Sequence, residues 1–203
     1  MKALLISGII FGLSAGLSPG PMLTLVITQT LQHGIREGIK VAFAPLLTDV
    51  PIIIVCLGVL SAFAEMNLIL GVLALIGGVY LFYLGIGSFR FSGEDLEVAA
   101  VNPQSLKKGV MINFLNPSPY MFWTSIGGPL VLKAPGSPLI SGMVFILPFY
   151  ILLVGSKIVV AVVSGKSKNL LRSNHYRWII RILGLVLIGF GILFWRDGIR
   201  YLM

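Results

Sequence analysis

The chain has 203 residues, of which 57% are hydrophobic and only 11% charged, and its mean hydropathy is +0.98. A soluble domain of this length carries about 25% charged residues, so the composition favours a single integral membrane domain over residues 1–203. The net charge of +8 would favour nucleic-acid binding in a soluble protein. Here the basic residues flank apolar runs, which is typical of charges that orient membrane spans and indicates no nucleic-acid partner.

Apolar runs long enough to cross a bilayer recur along the chain, since a spanning helix needs about 20 apolar residues. They predict an all-α, polytopic membrane protein with six transmembrane helices. The longest connection, residues 90–108, holds charged residues of both signs and is predicted to be a cytoplasmic loop between two halves. The runs cover approximately residues 3–31, 39–64, 67–89, 109–132, 139–163 and 178–202.

Basic residues are concentrated in the connections after the first, third and fifth runs. Because cytoplasmic loops carry an excess of Lys and Arg, these connections are predicted to be cytoplasmic and both termini to lie outside the cell. The first set is Arg36, Lys40, Arg90, Lys107, Lys108, Lys166, Lys168, Arg172 and Arg177, against Lys2, Lys133, Arg196 and Arg200 on the opposite side.

Two similar motifs interrupt apolar runs where a spanning helix should be continuous. Ser18-Pro19-Gly20-Pro21 lies in the first run and Asn116-Pro117-Ser118-Pro119 in the fourth. Three runs per half is an odd number, so the second half enters the membrane from the opposite side. The sequence thus predicts two inverted-topology three-helix repeats, about 3–89 and 109–202, with broken helices 1 and 4, as in many secondary transporters.

Glycines recur at helical spacing in the first run, at Gly8, Gly12 and Gly16. Small residues spaced in this way predict close packing against another span. The ends of the third and sixth runs, 77–86 and 191–199, are also rich in glycine and aromatic residues, which is a weaker match between the halves.

Each proline motif is interpreted as the N-terminus of a half-helix that begins inside the membrane. Ser18 and Asn116 are suitable N-caps, and a proline at the first helical position loses no hydrogen bond. Gly20 leaves room for a ligand to approach the backbone. Such helix ends present free amides and a partial positive charge, so a carboxylate would be a suitable ligand. The alternative is that both motifs are ordinary proline kinks.

Asp49 is the only acidic residue well inside an apolar run. An intramembrane carboxylate is costly and usually faces a wet cavity or a partner. Asp49 is therefore a candidate for binding a substrate ammonium group or for exchanging a proton. The alternative is a structural ion pair with Lys157 or Arg181, although Lys157 is near enough to the end of its run to extend to the membrane surface.

Further polar and aromatic residues near the motifs are candidates for lining a path. Asn113 shares a helix face with Asn116, and Trp123 is a candidate cavity wall. Tyr150 and Trp178 are interpreted as aromatics at the membrane interface. The threonines Thr24, Thr28 and Thr124 either line the path or bond back to their own helices. No metal-ligand spacing and no nucleotide-binding motif occurs, so no cofactor or metal and no ATP-driven step is expected.

The stretch from Gly16 to Pro21 resembles the signature of the lysine exporter (LysE/RhtB) family of amino-acid efflux translocators. The resemblance continues in residues 34–38, Asp49, 80–85 and 113–117. It implies export of amino acids from the prokaryotic cytoplasm across the plasma membrane, driven by the proton motive force. It also implies that the substrate region consists of the two proline motifs with Asp49. Two departures are Thr48, where the family usually has glycine, and Ser118, where a basic residue is common.

The sequence thus predicts a secondary transporter that exports amino acids or related zwitterions, with protons as the coupling ion. A cation exporter that uses Asp49 and backbone carbonyls as ligands is an alternative. A membrane subunit that scaffolds a partner without transporting is another. An enzyme is disfavoured, since no pair of nucleophile and base is visible, and a homodimer is compatible with a chain of this size.

Overall fold

The structure is a computed structural model that describes residues 1–59, 63–89, 103–132, 134, 137–166 and 174–203. All regular structure in these residues is helical, which confirms the all-α prediction. The helices are α1 (Lys2–Leu17), α2 (Pro21–His33), α3 (Ile35–Val59), α4 (Phe63–Phe89), α5 (Ser105–Leu115), α6 (Pro117–Phe122), a π-helical turn (Trp123–Gly127), α7 (Gly128–Leu132), α8 (Pro138–Lys166) and α9 (Asn174–Leu202).

Several of the described helices are long and apolar enough to cross a membrane. Four of them contain a spanning stretch, and α1 with α2 makes a fifth if the two are counted as one span bent by 57°. The prediction of six spans in two inverted repeats stays a prediction. The four stretches are Ile35–Cys56, Leu70–Gly87, Ile140–Lys166 and Arg181–Leu202.

The predicted loop 90–108 needs a correction at its end. Residues 90–102 lie outside the described ones, but α5 already begins at Ser105. The Ser105 side chain is buried, and its hydroxyl donates to Gln29 Oε1 of α2 at 2.8 Å. The charges of Lys107 and Lys108 suggested a loop, whereas the packing of Ser105 against α2 shows that this part of the chain already belongs to the helical bundle.

The first helix break lies where the sequence predicts it, but its cap differs. Gly20 is the N-cap of α2 and Pro21 its first residue, while Ser18 ends α1 and its hydroxyl caps no helix. The prediction that Ser18 is the N-cap was wrong. A proline disfavours the helical conformation of the residue before it, and Gly20 before Pro21 is extended, at φ −174° and ψ 179°, so that α2 begins directly after it.

The second break confirms the predicted cap. Asn116 is extended, and its side-chain Oδ1 accepts from the backbone N–H of Ser118 at 3.0 Å. Pro117 is the first residue of α6. The π-helical turn that follows includes the fully buried Trp123. The break at Asn116 and this turn together make the middle part of the fourth run irregular. A π-helical turn is rare and often found at functional sites.

The glycines of α1 pack directly against α8, which confirms the predicted close approach. Gly8, Gly12 and Gly16 are buried in this interface. A Cβ at Gly8 would meet the carbonyl oxygen of Phe145, and one at Gly12 would meet the carbonyl oxygen of Phe149. Because these residues have no side chains, the backbones of α1 and α8 are in contact along α1 as far as its last turn.

A second glycine interface joins α4 and α9. On each of the two helices the glycines recur every seven residues, which is about two helical turns. Each glycine of α4 lies opposite a glycine of α9. A Cβ at Gly78 would meet the carbonyl oxygen of Gly191 and the ring of Trp195. The three facing pairs are Gly71 with Gly198, Gly78 with Gly191, and Gly85 with Gly184.

Candidate functional site

The two helix breaks meet at one cavity of about 400 Å³. Both proline motifs contribute to its lining, together with Asp49 of α3 and Lys157 of α8. Of the predicted site residues only Pro117 does not line the cavity; it is buried at the start of α6. Those that do are Ser18, Pro19, Gly20, Pro21, Asp49, Asn113, Asn116, Ser118, Pro119 and Trp123.

The N-terminus of α2, with its free backbone donors, lies at this cavity. Met22 and Leu23 lie in its first turn, where amides have no acceptor within the helix, and both line the cavity. A Cβ at Gly20 would meet no atom within 4 Å. Neither a clash nor a positive φ therefore requires glycine here, and the missing side chain instead leaves open space beside the free amides.

Asp49 is 4% exposed and is held by side chains from two other helices. Its Oδ1 accepts from Asn113 Nδ2 of α5 at 2.7 Å, and its Oδ2 accepts from the hydroxyl of Tyr150 of α8 at 2.8 Å. The hydroxyl of Thr48, which accepts from Asn113 at 2.6 Å, lies 3.4 Å from Oδ1. The carboxylate is thus positioned by neutral donors, and α3, α5 and α8 meet at it.

The predicted alternative of an ion pair at Asp49 is not found. In the described part of the chain no ion pair joins Asp49 to Lys157 or to Arg181. Lys157 also does not extend to the membrane surface, because it is 4% exposed and its Nζ donates to the carbonyls of Ala15 at 3.1 Å and Gly16 at 2.9 Å. These carbonyls lie in the last turn of α1, where the break leaves them without intrahelical donors.

Tyr150 was wrongly interpreted as an interface aromatic, since its hydroxyl binds Asp49 inside the bundle. Trp178, interpreted in the same way, is exposed. A signal for the inward face of α8 is present in the sequence. Phe149, Leu153 and Lys157 lie four residues apart, all line the cavity, and Tyr150 follows directly after the first of them.

Three threonines that were candidates for the path instead use their hydroxyl hydrogens within their own helices. Thr24, Thr28 and Thr124 each donate to the carbonyl four residues earlier, at 2.7 to 2.9 Å. Such bonds satisfy a hydroxyl in an apolar setting without a ligand.

One wall of the cavity is aromatic. The rings of Phe122 and Phe149 stack with centroids 5.2 Å apart, and the ring of Trp123 lies edge-on to both, at 5.4 and 5.8 Å. All three residues line the cavity, so Trp123 occupies the wall position that the sequence predicts. The cavity therefore combines charged and hydrogen-bonding groups on one part of its surface with a rigid apolar wall on another.

Removal of the Tyr150 hydroxyl should weaken function without unfolding the protein. We expect Tyr150→Phe to reduce the transport rate about 10-fold, because Asp49 loses one of its hydrogen bonds and its fixed orientation. The rate is measured in vesicles containing equal amounts of folded protein. Tyr83→Phe is a matched control, because Tyr83 is 70% exposed on α4. Equal rates for both variants would contradict this role of Tyr150.

Buried polar groups around a cavity at two helix breaks, inside a bundle of apolar helices, define a membrane transport protein. The comparison with protein families agrees. The family model described as "LysE type translocator" matches residues 13–198, and the chain belongs to this family.

Two further proteins resemble the chain over large parts of its length. The uncharacterized membrane protein PA4757 of Pseudomonas aeruginosa is 32% identical over 120 residues, which are 54% of this chain and 55% of that protein. The uncharacterized membrane protein YrhP of Bacillus subtilis is 27% identical over 192 residues, 86% of this chain and 90% of that protein. The match therefore spans about half the length of the first protein and most of the second. No solved structure matches the chain.

Proposed function

We propose that this transporter exports amino acids or related small zwitterions from the cytoplasm by proton antiport. The observation that carries the proposal is the convergence of both helix breaks and Asp49 on one cavity. The free amides at the start of α2 and the Asn116-capped start of α6 would hold the cargo carboxylate. Asp49 would bind the cargo ammonium group in one step of the cycle and a proton in another, so that the two compete for one carboxylate.

The proposed cycle alternates access to this fixed site. Six spans in two inverted repeats would rock against each other and expose the cavity first to the cytoplasm and then to the outside. The basic connections would face the cytoplasm of a prokaryotic cell, with both termini outside its plasma membrane. A homodimer in the bilayer is compatible with this cycle but is not required by it, since one chain supplies all of the groups named.

The contacts of Asp49 favour this function over cation export. A site for a divalent cation needs several oxygen ligands that point at the ion. Around Asp49 the nearest groups are donors, with the Asn113 amide at 2.7 Å and the Tyr150 hydroxyl at 2.8 Å. A carboxylate surrounded by neutral donors suits an ammonium group or a proton better than a metal ion. A scaffolding subunit would have no use for a buried polar cavity of this kind.

Efflux from cells loaded with dipeptides tests the proposal. Peptidases release the amino acids inside, and their appearance outside is compared in cells with and without the protein in the membrane. We expect faster export of at least one amino acid, abolished when a protonophore collapses the proton gradient. Equal export of every amino acid in the two strains, with the protein shown to be in the membrane, would overturn the proposal.

A further inference from the structure

The buried Lys157 has one N–H donor and a positive charge for which its two carbonyl contacts provide no partner. As an ammonium group it has three N–H donors, of which two are directed at the carbonyls of Ala15 and Gly16. No carboxylate in the described residues forms an ion pair with it. A buried charge without an opposite partner is costly, and an ionisable residue inside a membrane usually serves function. The cap on α1 therefore accounts for only part of what this lysine can do.

Lys157 and Asp49 line the same cavity without forming an ion pair. Asp49 is held by Asn113 and Tyr150, and Lys157 by the end of α1, so the two side chains have separate partners. The cavity therefore presents one negative and one positive group, each already oriented. A small molecule with one ammonium and one carboxylate group has the two charges that these groups would bind.

The remainder of the cavity indicates the side chain of such a cargo. The wall formed by Phe122, Trp123 and Phe149 is apolar, and Phe190 and Phe194 of α9 also line the cavity. The other lining carboxylate in the described residues, Asp197, is partly exposed and already forms an ion pair with Arg196 at 3.2 Å. A second ammonium group, as in a basic amino acid, would therefore find only this partly exposed acid, in competition with Arg196.

We propose that Lys157 binds the carboxylate of the cargo, and that with Asp49 and the aromatic wall it selects amino acids with an uncharged, apolar side chain. This inference rests on the proposed function and adds the charge that the backbone amides of α2 lack. Lys157 has two roles in it. It caps α1 through the carbonyls of Ala15 and Gly16, and it directs its remaining donor and its charge at the cargo.

The test compares leucine with 3-methylbutylamine, which is leucine without its carboxylate, on the purified full-length protein. Apparent affinities come from the dependence of the thermal transition on ligand concentration. We expect the unsubstituted protein to bind leucine at least about 30-fold more tightly than the amine, as expected for a buried charge-assisted contact. In Lys157→Met most of this preference should be lost, with only the contribution of the backbone amides remaining, while the affinity for the amine changes little.

Lys157→Gln separates the two roles, because glutamine retains donors for the end of α1 but has no charge. It should lose the same part of the preference for leucine as Lys157→Met, and it replaces Lys157→Met if that variant does not fold. If either folded variant has a lower transition temperature but keeps the preference for leucine, Lys157 is a helix cap only and the proposal is overturned. Tighter binding of lysine than of leucine would overturn the apolar assignment.

These outcomes are distinct from a failure of the proposed function. If the protein exports leucine from dipeptide-loaded cells and Lys157→Met keeps its preference for leucine over the amine, only the inference about Lys157 fails. If the unsubstituted protein neither exports nor binds any amino acid, the proposed function fails and the inference fails with it.

Discussion

Asp49→Asn is expected to reduce proton-coupled export at least about 30-fold, while the protein stays folded and in the membrane. Asparagine has nearly the same shape, so it can keep its place between Asn113 and Tyr150, but it can neither take up a proton nor pair with an ammonium group. Loss of one member of a buried charge pair costs about 2–5 kcal/mol, which corresponds to this factor or more. The measurement is export from dipeptide-loaded cells at equal amounts of membrane-inserted protein.

Glu37→Gln is the matched control for this prediction. Glu37 is on the same helix as Asp49, lies outside the cavity and forms an ion pair with Lys40 at the start of α3. The chemical change is the same, and it should alter export by less than about twofold, as expected for an ion pair whose lysine is exposed. Full activity of Asp49→Asn would show that its carboxylate neither couples protons nor binds the cargo.

Gly78→Leu is expected to prevent normal folding. The leucine side chain would have to occupy the space of the Trp195 ring and the backbone of Gly191, so α4 and α9 would separate along the whole glycine interface. Overpacking costs about 1–3 kcal/mol even where side chains can move, and here one neighbour is backbone. A loss of this size should lower the yield of monodisperse protein in detergent more than about fivefold. The measurement is size-exclusion chromatography of the solubilised protein.

Gly87→Leu provides the comparison within the same helix. Gly87 is exposed on α4, and a Cβ there would meet no atom within 4 Å. The substitution introduces the same side chain nine residues further along, and the yield should be close to that of the unsubstituted protein. Similar losses in both variants would mean that leucine is harmful anywhere in α4, and that the facing glycines are not the cause.

The sequence predicted the site better than it predicted what supports the site. Prolines within an apolar run and a single acid at membrane depth are local signals, so both motifs and Asp49 could be found without a structure. The hydroxyl of Tyr150 and the amine of Lys157 act on partners about 100 and 140 residues away. Which helix faces which is decided by packing of the whole bundle, and no local pattern gave that information.

The wrong cap at the first motif has a different origin. The preference of a residue before proline for extended conformations applies both to Ser18, before Pro19, and to Gly20, before Pro21, so it does not choose between these two caps. Glycine is disfavoured within a helix, which favours a start after Gly20. Ser18 was preferred because serine is a good cap in general. At the second motif the position equivalent to Gly20 is Ser118, which is helical although it precedes Pro119, and there the predicted cap Asn116 is confirmed.

The bond between Lys157 and the end of α1 has a consequence for biosynthesis. The carbonyls of Ala15 and Gly16 emerge from the ribosome well before their donor, which follows 141 residues after Gly16. At about 5–20 residues per second this interval is on the order of ten seconds. Lipid tails offer no hydrogen bonds, so during that time water, headgroups or the insertion machinery must satisfy the unfinished helix end. A ribosome stalled before Lys157 would leave this nascent chain in the membrane with an open helix terminus, in a form that quality-control proteases can recognise.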